Sequence, residues 1–501
     1  MSPDVPFAAM RETHIGVVFL IGDLAYKLKK PVRTPFLDFS TRQRRLRACQ
    51  REVELNRRLA PDVYLGVAEV TGLDGRPGEP LVVMRRMPEE RRLATLLDTG
   101  APLADPVRRL ARMLAAFHSG TRRDPEITAE GGRDALRARW VEGFQELRRF
   151  RGTVLDDEVV AELERRALRF LDGREPLLAA RQRTGRIVDG HGDLLTSDIF
   201  CLDEGPQVLD CLEFNDQLRY LDGLDDAAFL AMDLEYHGAA ELGALFLDWY
   251  AEFAGDPAPP ALRHHYIAYR AAVRAKVACL RGEQGDAAIQ DKSREEACRY
   301  TGIAARHLRA AEVQLVLVGG LPGTGKTTVS DALAGELSMV ALSSDRVRKE
   351  LHGLTPHQSA AAPYQQGVYS PAATERTYTE LLARAARCLA QGESVVLDAS
   401  WTHATHRAAA AHLARTAHAQ LIALQCTAPP EVITQRLRER AGSVSDVSDV
   451  SDVSDADETI GRAVAAHADP WPQAAPIPTN GSVRTALAAA LLQCDQDHGG
   501  R

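Results

Sequence analysis

With 501 residues the chain exceeds one ordinary core, and its length suggests about three domains or two large ones. Hydrophobic residues at 45% and charged residues at 26% are the proportions of a soluble globular protein. A formal net charge of −8 supplies no general field for polyanions, so nucleic acid is not the default partner.

The opening MSPDVPFAAMRETH lacks a basic segment followed by an apolar core, and no uninterrupted apolar run is long enough to span a bilayer. The expectation is a cytoplasmic protein without a membrane partner. Eight cysteines lie scattered without C-x-x-C spacing, which argues against a zinc site or a disulfide framework.

From His14, HIGVVFLIGDLAYKLKKP reads as two strands joined at Gly22-Asp23, a hairpin signal. Strand alternation puts Lys27 and Lys29 on one face. STRQRRLRACQREVELNRRLA then has helical spacing up to Pro61 and carries Glu52 and Glu54. A strand lysine and a glutamate on the following helix are what a kinase-type fold uses to hold ATP phosphates. A solvated, charged helix would read the same way.

EPLVVMRRMPEERRL supplies a strand and connector, and LADPVRRLARMLAAFHSG opens a helical, arginine- and glutamate-rich region that runs to Arg186. Two short apolar runs, RIVDG and PQVLDCLEF, then bracket a loop with His191, Gly192, Asp193 and Asp198. Asp210 closes the second run, with Glu213 nearby. Phosphoryl transfer to a hydroxyl needs one carboxylate to take the proton and others to hold the metal. This spacing supplies both roles. Two helices follow, HHYIAYRAAVRAKVACLRG and SREEACRYTGIAARHLRAAE, in which Arg274 and Lys276 face either substrate or, as helix charges usually do, solvent. Helix gives way to strand near Ala311, which sets the expected domains at 1–310 and 311–501.

VQLVLVGGLPGTGKTTVSDALAGEL reads as strand, loop and helix, and its loop from Gly320 to Thr327 fits G-x-x-x-x-G-K-[ST]. Glycines let the backbone curl so that successive N–H groups point at phosphate oxygens, and the helix starting near Lys326 adds its positive dipole end. Lys326 would reach the outer phosphates, and the Thr327 hydroxyl would hold Mg²⁺. MVALSSDRVRKEL places Asp345 at a strand-to-helix break, where it is a good N-cap and also a carboxylate at the ligand-binding edge of a parallel sheet. Arg348 lies one turn on, placed to grip an acceptor or a phosphate. HGLTPHQSAAAPYQQGVYSPAATERTY has the composition of a substrate-facing loop.

ESVVLDASW is a buried strand ending in Asp398, suited to the water shell of Mg²⁺. No glutamate follows it, which favours transfer over hydrolysis, and no N-K-x-D is present, which argues against a GTPase. His403, His406 and Arg407 are expected on a helix surface. After LIALQCTAPPEVITQRLRER, with Arg436 and Arg440 on one helix face, SVSDVSDVSDVSDAD is a low-complexity tract expected to be a mobile, expanded lid loop. DPWPQAAPIP reads as a break before a final helix.

The first half resembles the aminoglycoside phosphotransferase class of small-molecule kinases, which share the protein-kinase fold. The resemblance rests on KLKKP, REVELN, HGDL, the acidic strand end and DGLDDAAFLAMDLE, and covers roughly residues 10–310. It implies an α+β bilobal fold with Asp193 as catalytic base, Asp198 and Asp210 as metal ligands, Lys27 as phosphate lysine and Glu52 as its partner. Asp226 would brace the catalytic loop. Family members usually carry a histidine and an asparagine where Leu195 and Asp198 stand, so a working kinase with a variant loop and a nucleotide-binding relic both stay open.

The second half resembles small P-loop kinases of the polynucleotide, gluconate and zeta-toxin type through GLPGTGKTT, SSDRVRKEL, VVLDASW and QRLRER, over about residues 312–495. It implies an α/β P-loop fold with a parallel sheet. ATP would be cradled by Gly320, Gly323, Thr324, Gly325, Lys326, Thr327 and Thr328, and Mg²⁺ held by Thr327 and Asp398. Asp345 would be the base, and Arg436 and Arg440 lid arginines. The pairing of the two halves looks like the bacterial bifunctional aminoglycoside phosphotransferase/ATP-binding proteins. The expectation is an ATP- and Mg²⁺-dependent kinase acting on hydroxyls of small molecules. A nucleic-acid 5′-hydroxyl stays open for the second half, though the acidic balance opposes it. Two other readings are a catalytic second half with a regulatory first half, and an ATP sensor that transfers nothing.

Overall fold

The computed structural model describes residues 7–12, 16–33, 37–70, 78–355, 358, 366–442 and 458–496. The chain forms two compact units, one of residues 1–164, 178–258 and 263–308, the other of 165–177, 259–262 and 309–501.

In the first unit, β1 (Ala8–Glu12), β2 (Gly16–Ile21), β3 (Leu24–Lys29), β4 (Tyr64–Glu69) and β5 (Pro80–Arg85) form an antiparallel sheet in the order β1-β2-β3-β5-β4. Gly22, at φ +57°, makes the tight turn between β2 and β3. The helix Arg42–Asn56 is capped by the Thr41 side chain, which accepts from the Arg44 N–H. Cys49 and Val53 on this helix pack with Ala25, Val82 and Met84 of the sheet. Helical periodicity puts Glu52 on that same inward face.

The rest of the unit is mainly helical, with Ala104–Gly120, Gly223–Tyr236, Ala240–Ala254, Pro260–Gln284 and Ala287–Ala310 as its longer members. Two small ladders lie among them. β6 (Ile187–Asp189) pairs with β9 (Tyr220–Asp222), and β7 (Ile199–Cys201) pairs with β8 (Pro206–Val208). Helix Gly223–Tyr236 is buried along most of its length yet carries Asp225, Asp226 and Asp233 inside. Each is partnered. Arg270 donates twice to Asp225 at 2.8 Å, and Thr196 donates its N–H and hydroxyl to Asp233 at 2.8 and 2.7 Å.

The second unit is built on a wholly parallel sheet of β10 (Gln314–Gly319), β11 (Val340–Ser343), β12 (Val395–Asp398), β13 (Gln420–Thr427) and β14 (Ala475–Pro478), in the order β11-β12-β10-β13-β14. Its core takes Val316, Val318, Val396, Ile422, Leu424 and Ile477 from the strands and Val329 and Leu333 from the helix Lys326–Glu336. Near-continuous apolar strands are what a sheet covered on both faces requires.

Three expectations from sequence change here. The proline-rich DPWPQAAPIP is not simply a break, because β14 forms within it and, among the described residues, pairs only with β13, an edge position where proline is tolerated. SPAATERTY is not loop. Ser370 caps the Ala373 N–H and Pro371 opens the helix Pro371–Ala390. His406 is buried instead of lying on the surface, stacked on Tyr378 at 3.9 Å and bonded to Glu375 at 3.0 Å. Arg407 donates to the carbonyls of Trp401 and Pro470, each at 2.8 Å. The Ser-Asp-Val tract falls outside the described residues. Among the described residues no helix is long and apolar enough to cross a membrane.

His265 links this packing to pH. It is buried, accepts from Trp140 Nε1–H at 3.1 Å, and burial holds its imidazole down at about 3. Unfolded, it would titrate near ~6.5, so below that pH the unfolded chain takes up a proton that the folded chain refuses, and stability falls. His265→Gln keeps an acceptor without the titration. In urea melts at about pH 7.5 and about pH 5 the unchanged protein is expected to lose about 2 kcal/mol more than the variant; equal losses would contradict a neutral buried His265.

Candidate functional site

In the second unit the loop after β10 has the backbone its glycines allow. Gly320, Gly323 and Gly325 sit at φ +146°, +82° and +81°. A Cβ at Gly320 would lie 2.5 Å from Thr324 Oγ1 and 2.8 Å from the Cys426 carbonyl oxygen. Gly325 stands at the N-cap of Lys326–Glu336 with no side-chain cap, so the first helical N–H groups are left to an anion. Behind the loop, Thr479 Oγ1 donates to the Thr324 carbonyl at 2.6 Å. Arg436 donates to the Thr479 carbonyl at 2.6 Å and to that of Gly323 at 3.4 Å. Gly323, Gly325, Thr328, Arg436 and Thr479 line a cleft of about 420 Å³. The Arg440 side chain lies outside the described residues.

Parallel register aligns Ser343 of β11 and Val318 of β10 with Asp398 of β12. The carboxyl ends of these strands therefore carry Asp398, the phosphate loop and Asp345 together, as doubly wound sheets do. Thr327 Oγ1 donates to Asp398 Oδ2 at 2.7 Å, while Asp398 Oδ1 is buried without a hydrogen-bond partner. Burial raises the Asp398 pKa, Lys326 and the Thr327 bond pull it down, and Asp345 pushes it up. A hydroxyl and a carboxylate that keeps one buried oxygen open fit a hard divalent cation such as Mg²⁺. Asp345 accepts from Arg348 Nη1 at 3.1 Å, and the buried Arg348 lies 4.7 Å from the centre of the Tyr369 ring.

In the first unit the charges converge on Glu52, which is fully buried. Lys27 Nζ lies 2.9 Å from Glu52 Oε1 and 2.5 Å from Asp210 Oδ1. Lys29 Nζ lies 2.7 Å from Glu52 Oε2 and 2.5 Å from Glu213 Oε1. Burial opposes the Lys27 charge, but Asp210 and Glu52 outweigh it and raise the lysine pKa. Burial likewise opposes the Glu52 charge, and the two lysines outweigh it and lower the carboxyl pKa. Lys29 and Glu213 complete this cluster, although the family resemblance had given a role only to Lys27 and Glu52. The period-two alternation through Lys27 and Lys29 was the available signal.

Asp210 adopts φ +64°, unusual for a residue with a side chain, and donates its N–H to Tyr64 Oη at 3.1 Å. Burial, then the Asp210 charge, pushes the Asp198 carboxyl up to about 7. A divalent cation would relieve that repulsion, and the oxygen chemistry of the pair fits Mg²⁺. No cluster of three or more His, Cys, Asp or Glu side chains suited to a metal occurs among the described residues. Two carboxylates with phosphate and water oxygens match the way Mg²⁺ is usually bound.

Asp193 is held by its backbone. Asp226 accepts the N–H groups of His191 at 2.6 Å and Gly192 at 2.9 Å, and the Asp193 N–H reaches His191 Nδ1 at 3.3 Å. His118 links Asp226, at 3.0 Å, to Tyr250, at 2.9 Å. Burial pushes the Asp193 carboxyl up to about 6, while Arg274 pulls it back. Leu195 is buried. Lys276 pairs with Glu146 at 2.9 Å.

Topology and site define a chain that joins a kinase-like α+β unit to a P-loop α/β unit. Residues 315–456 match the AAA domain family AAA_33. Over 468 residues the chain is 43% identical to the Rv2004c protein of Mycobacterium tuberculosis H37Rv, covering 93% of this chain and 91% of that protein. It belongs to the family of that protein. A solved choline/ethanolamine kinase family protein from Mesorhizobium loti is 16% identical, over 62% of this chain and 93% of its own, with a TM-score of 0.39. The Mycobacterium tuberculosis APS kinase CysC is 17% identical, over 36% of this chain and 98% of its own, with a TM-score of 0.27.

Gly320→Ala places a methyl group against backbone and a threonine hydroxyl, so nucleotide affinity of the second unit is expected to fall at least about tenfold in calorimetric titration. Glu52→Gln leaves the buried Lys29 and the partly buried Lys27 short of a carboxylate and is expected to destabilise the first unit by about 3 kcal/mol in denaturant melts.

Proposed function

We propose that the protein is an ATP- and Mg²⁺-dependent phosphotransferase with a nucleotide site in each unit, moving the γ-phosphoryl group to a hydroxyl of a small molecule. The observation that supports this reading is that each unit brings together carboxylates that could divide between them the uptake of the proton and the holding of a metal. These are Asp193 with Asp198 and Asp210, and Asp345 with Asp398. Lys27, fixed by Glu52, and Lys326, at the head of its helix, would hold phosphate oxygens. Bound Mg²⁺ would supply charge neutralisation on the transferring group.

Asp193 and Asp345 take the acceptor hydroxyl proton as its oxygen bonds to the γ-phosphorus and the bridge to the β-phosphate breaks, releasing ADP. Ala399 follows Asp398, so no glutamate stands there to activate water. In the second unit, Arg348 is placed to hold a charged group of the acceptor beside Asp345. The cleft by Thr328, Arg436 and Thr479 has room for the nucleoside. Use of ATP would support a cytoplasmic reaction.

A second reading confines catalysis to the P-loop unit, and the direct Lys27–Asp210 contact favours it, since it occupies a metal-binding acid. Phosphate transfer from labelled ATP to a panel of sugars, hydroxy acids and aminoglycosides separates the two readings. Asp193→Asn and Lys326→Ala are each expected to abolish a distinct set of products. If Asp193→Asn leaves every product intact, the first unit does not transfer. The base must be ionised, and Asp193 becomes protonated as pH falls through about 6. The Asp193-dependent rate is expected to drop about tenfold per pH unit below that point.

A further inference from the structure

Helix Pro260–Gln284 carries two arginines one turn apart, Arg270 and Arg274, and their surroundings differ. Arg270 is paired with Asp225 through two parallel bonds, with Nε and Nη2 each at 2.8 Å. Arg274 pairs with no carboxylate within ion-pair distance among the described residues; its guanidinium bonds the Tyr300 side chain, and its Nε is buried without a hydrogen-bond partner. Its guanidinium carbon lies 5.9 Å from the centre of the Tyr300 ring. Tyr300 stacks on Tyr236 at 4.2 Å, and Arg299 lies over Tyr236 at 4.3 Å. Nearby, Arg281 is cancelled by its pairing with Glu296. Arg274 is also the strongest positive charge acting on Asp193 against the effect of burial.

We propose that Arg274 is a specificity-determining residue of the first unit, which binds an oxyanionic group of the acceptor, so that the molecule phosphorylated at Asp193 is an anionic hydroxy compound. The inference rests on the reading of Asp193 as the base. A buried guanidinium N–H without a partner is unfavourable unless a ligand completes it. The guanidinium fork matches a carboxylate, sulfate or phosphate at two points. A polycationic amino sugar would set its charges against Arg274 and Arg299, whereas an oxyanion is attracted by both. In the reaction the acceptor oxygen bonds to the γ-phosphorus, its proton passes to Asp193, and ADP leaves with the broken bridging bond. The oxyanion stays unreacted on Arg274.

The full-length protein with its phosphate loop silenced by Lys326→Ala tests this in two arms. In the first, inorganic phosphate is titrated by calorimetry. Adding Arg274→Gln is expected to weaken its binding at least about tenfold, and Arg274→Lys to restore part of the loss. Unchanged phosphate affinity in Arg274→Gln, with an unchanged circular dichroism spectrum, overturns the proposal. In the second arm, transfer from labelled ATP is measured with hydroxy acids, sugar phosphates, neutral sugars and aminoglycosides kept as separate pools. Label is expected in one or both anionic pools, which tells a carboxylate from a phosphate. Arg274→Gln should raise the acceptor KM about tenfold and leave the ATP KM unchanged. Transfer confined to the neutral or cationic pools and indifferent to Arg274→Gln overturns the proposal. If no pool is labelled while phosphate binding still depends on Arg274, the anion site stands and the kinase reading of Asp193 fails.

Discussion

A carboxylate taken out of water keeps its charge only beside a cation or several N–H donors, and the first unit is organised around carboxylates held in this way. Glu52 has a lysine on each oxygen, Asp225 has both arms of Arg270, and Asp226 has two backbone N–H groups and His118. These contacts do more than stabilise. Glu52 binds the helix Arg42–Asn56 to β3, and Asp226 sets the path of the loop that presents Asp193. Breaking a buried pair by removing one partner typically costs about 3–5 kcal/mol, so the geometry of the site and the stability of its unit are bound together.

The second unit reaches related chemistry by a different route. Its phosphate-binding groups are backbone N–H groups at a helix start, and its carboxylates stand at the ends of parallel strands, where register brings them into one row. Little buried charge is needed, because the strands deliver Asp398 and Asp345 to the edge where the dipole of Lys326–Glu336 already points. Asp398 keeps one buried oxygen unpartnered beside the Thr327 hydroxyl, which fits the place of a ligand.

Much of this was legible along the chain. The G-x-x-x-x-G-K-[ST] run has a local meaning, since glycine tolerance and helix start act over a few residues, and the loop, its helix and the strand before it form where the pattern puts them. The same holds for the Gly22 hairpin and the lysines of β3. The proline-rich segment and SPAATERTY were misread because their outcome turns on non-local facts. Prolines are harmless in β14 since it is an edge strand, and Pro371 starts a helix because Ser370 caps it. His406 looked like surface because nothing in its neighbourhood announces Tyr378, nearly thirty positions earlier.

By itself, the sequence determined the phosphate cradle with its strand and helix and the acidic spacing of Asp193, Asp198 and Asp210, because each follows from local periodicity or from side-chain types at short range, while the kinase-like class of the first half was legible only through its resemblance to a known family. Only the tertiary structure decided that Lys29 joins Lys27 on Glu52 and is shared with Glu213, that His118 stands behind Asp226, and that the Arg274 charge acts on Asp193 while its Nε stays unpartnered. Those relations join residues far apart in the chain, and burial fixes them. Whether an ion is paired, strained or free depends on what surrounds it once water has been excluded.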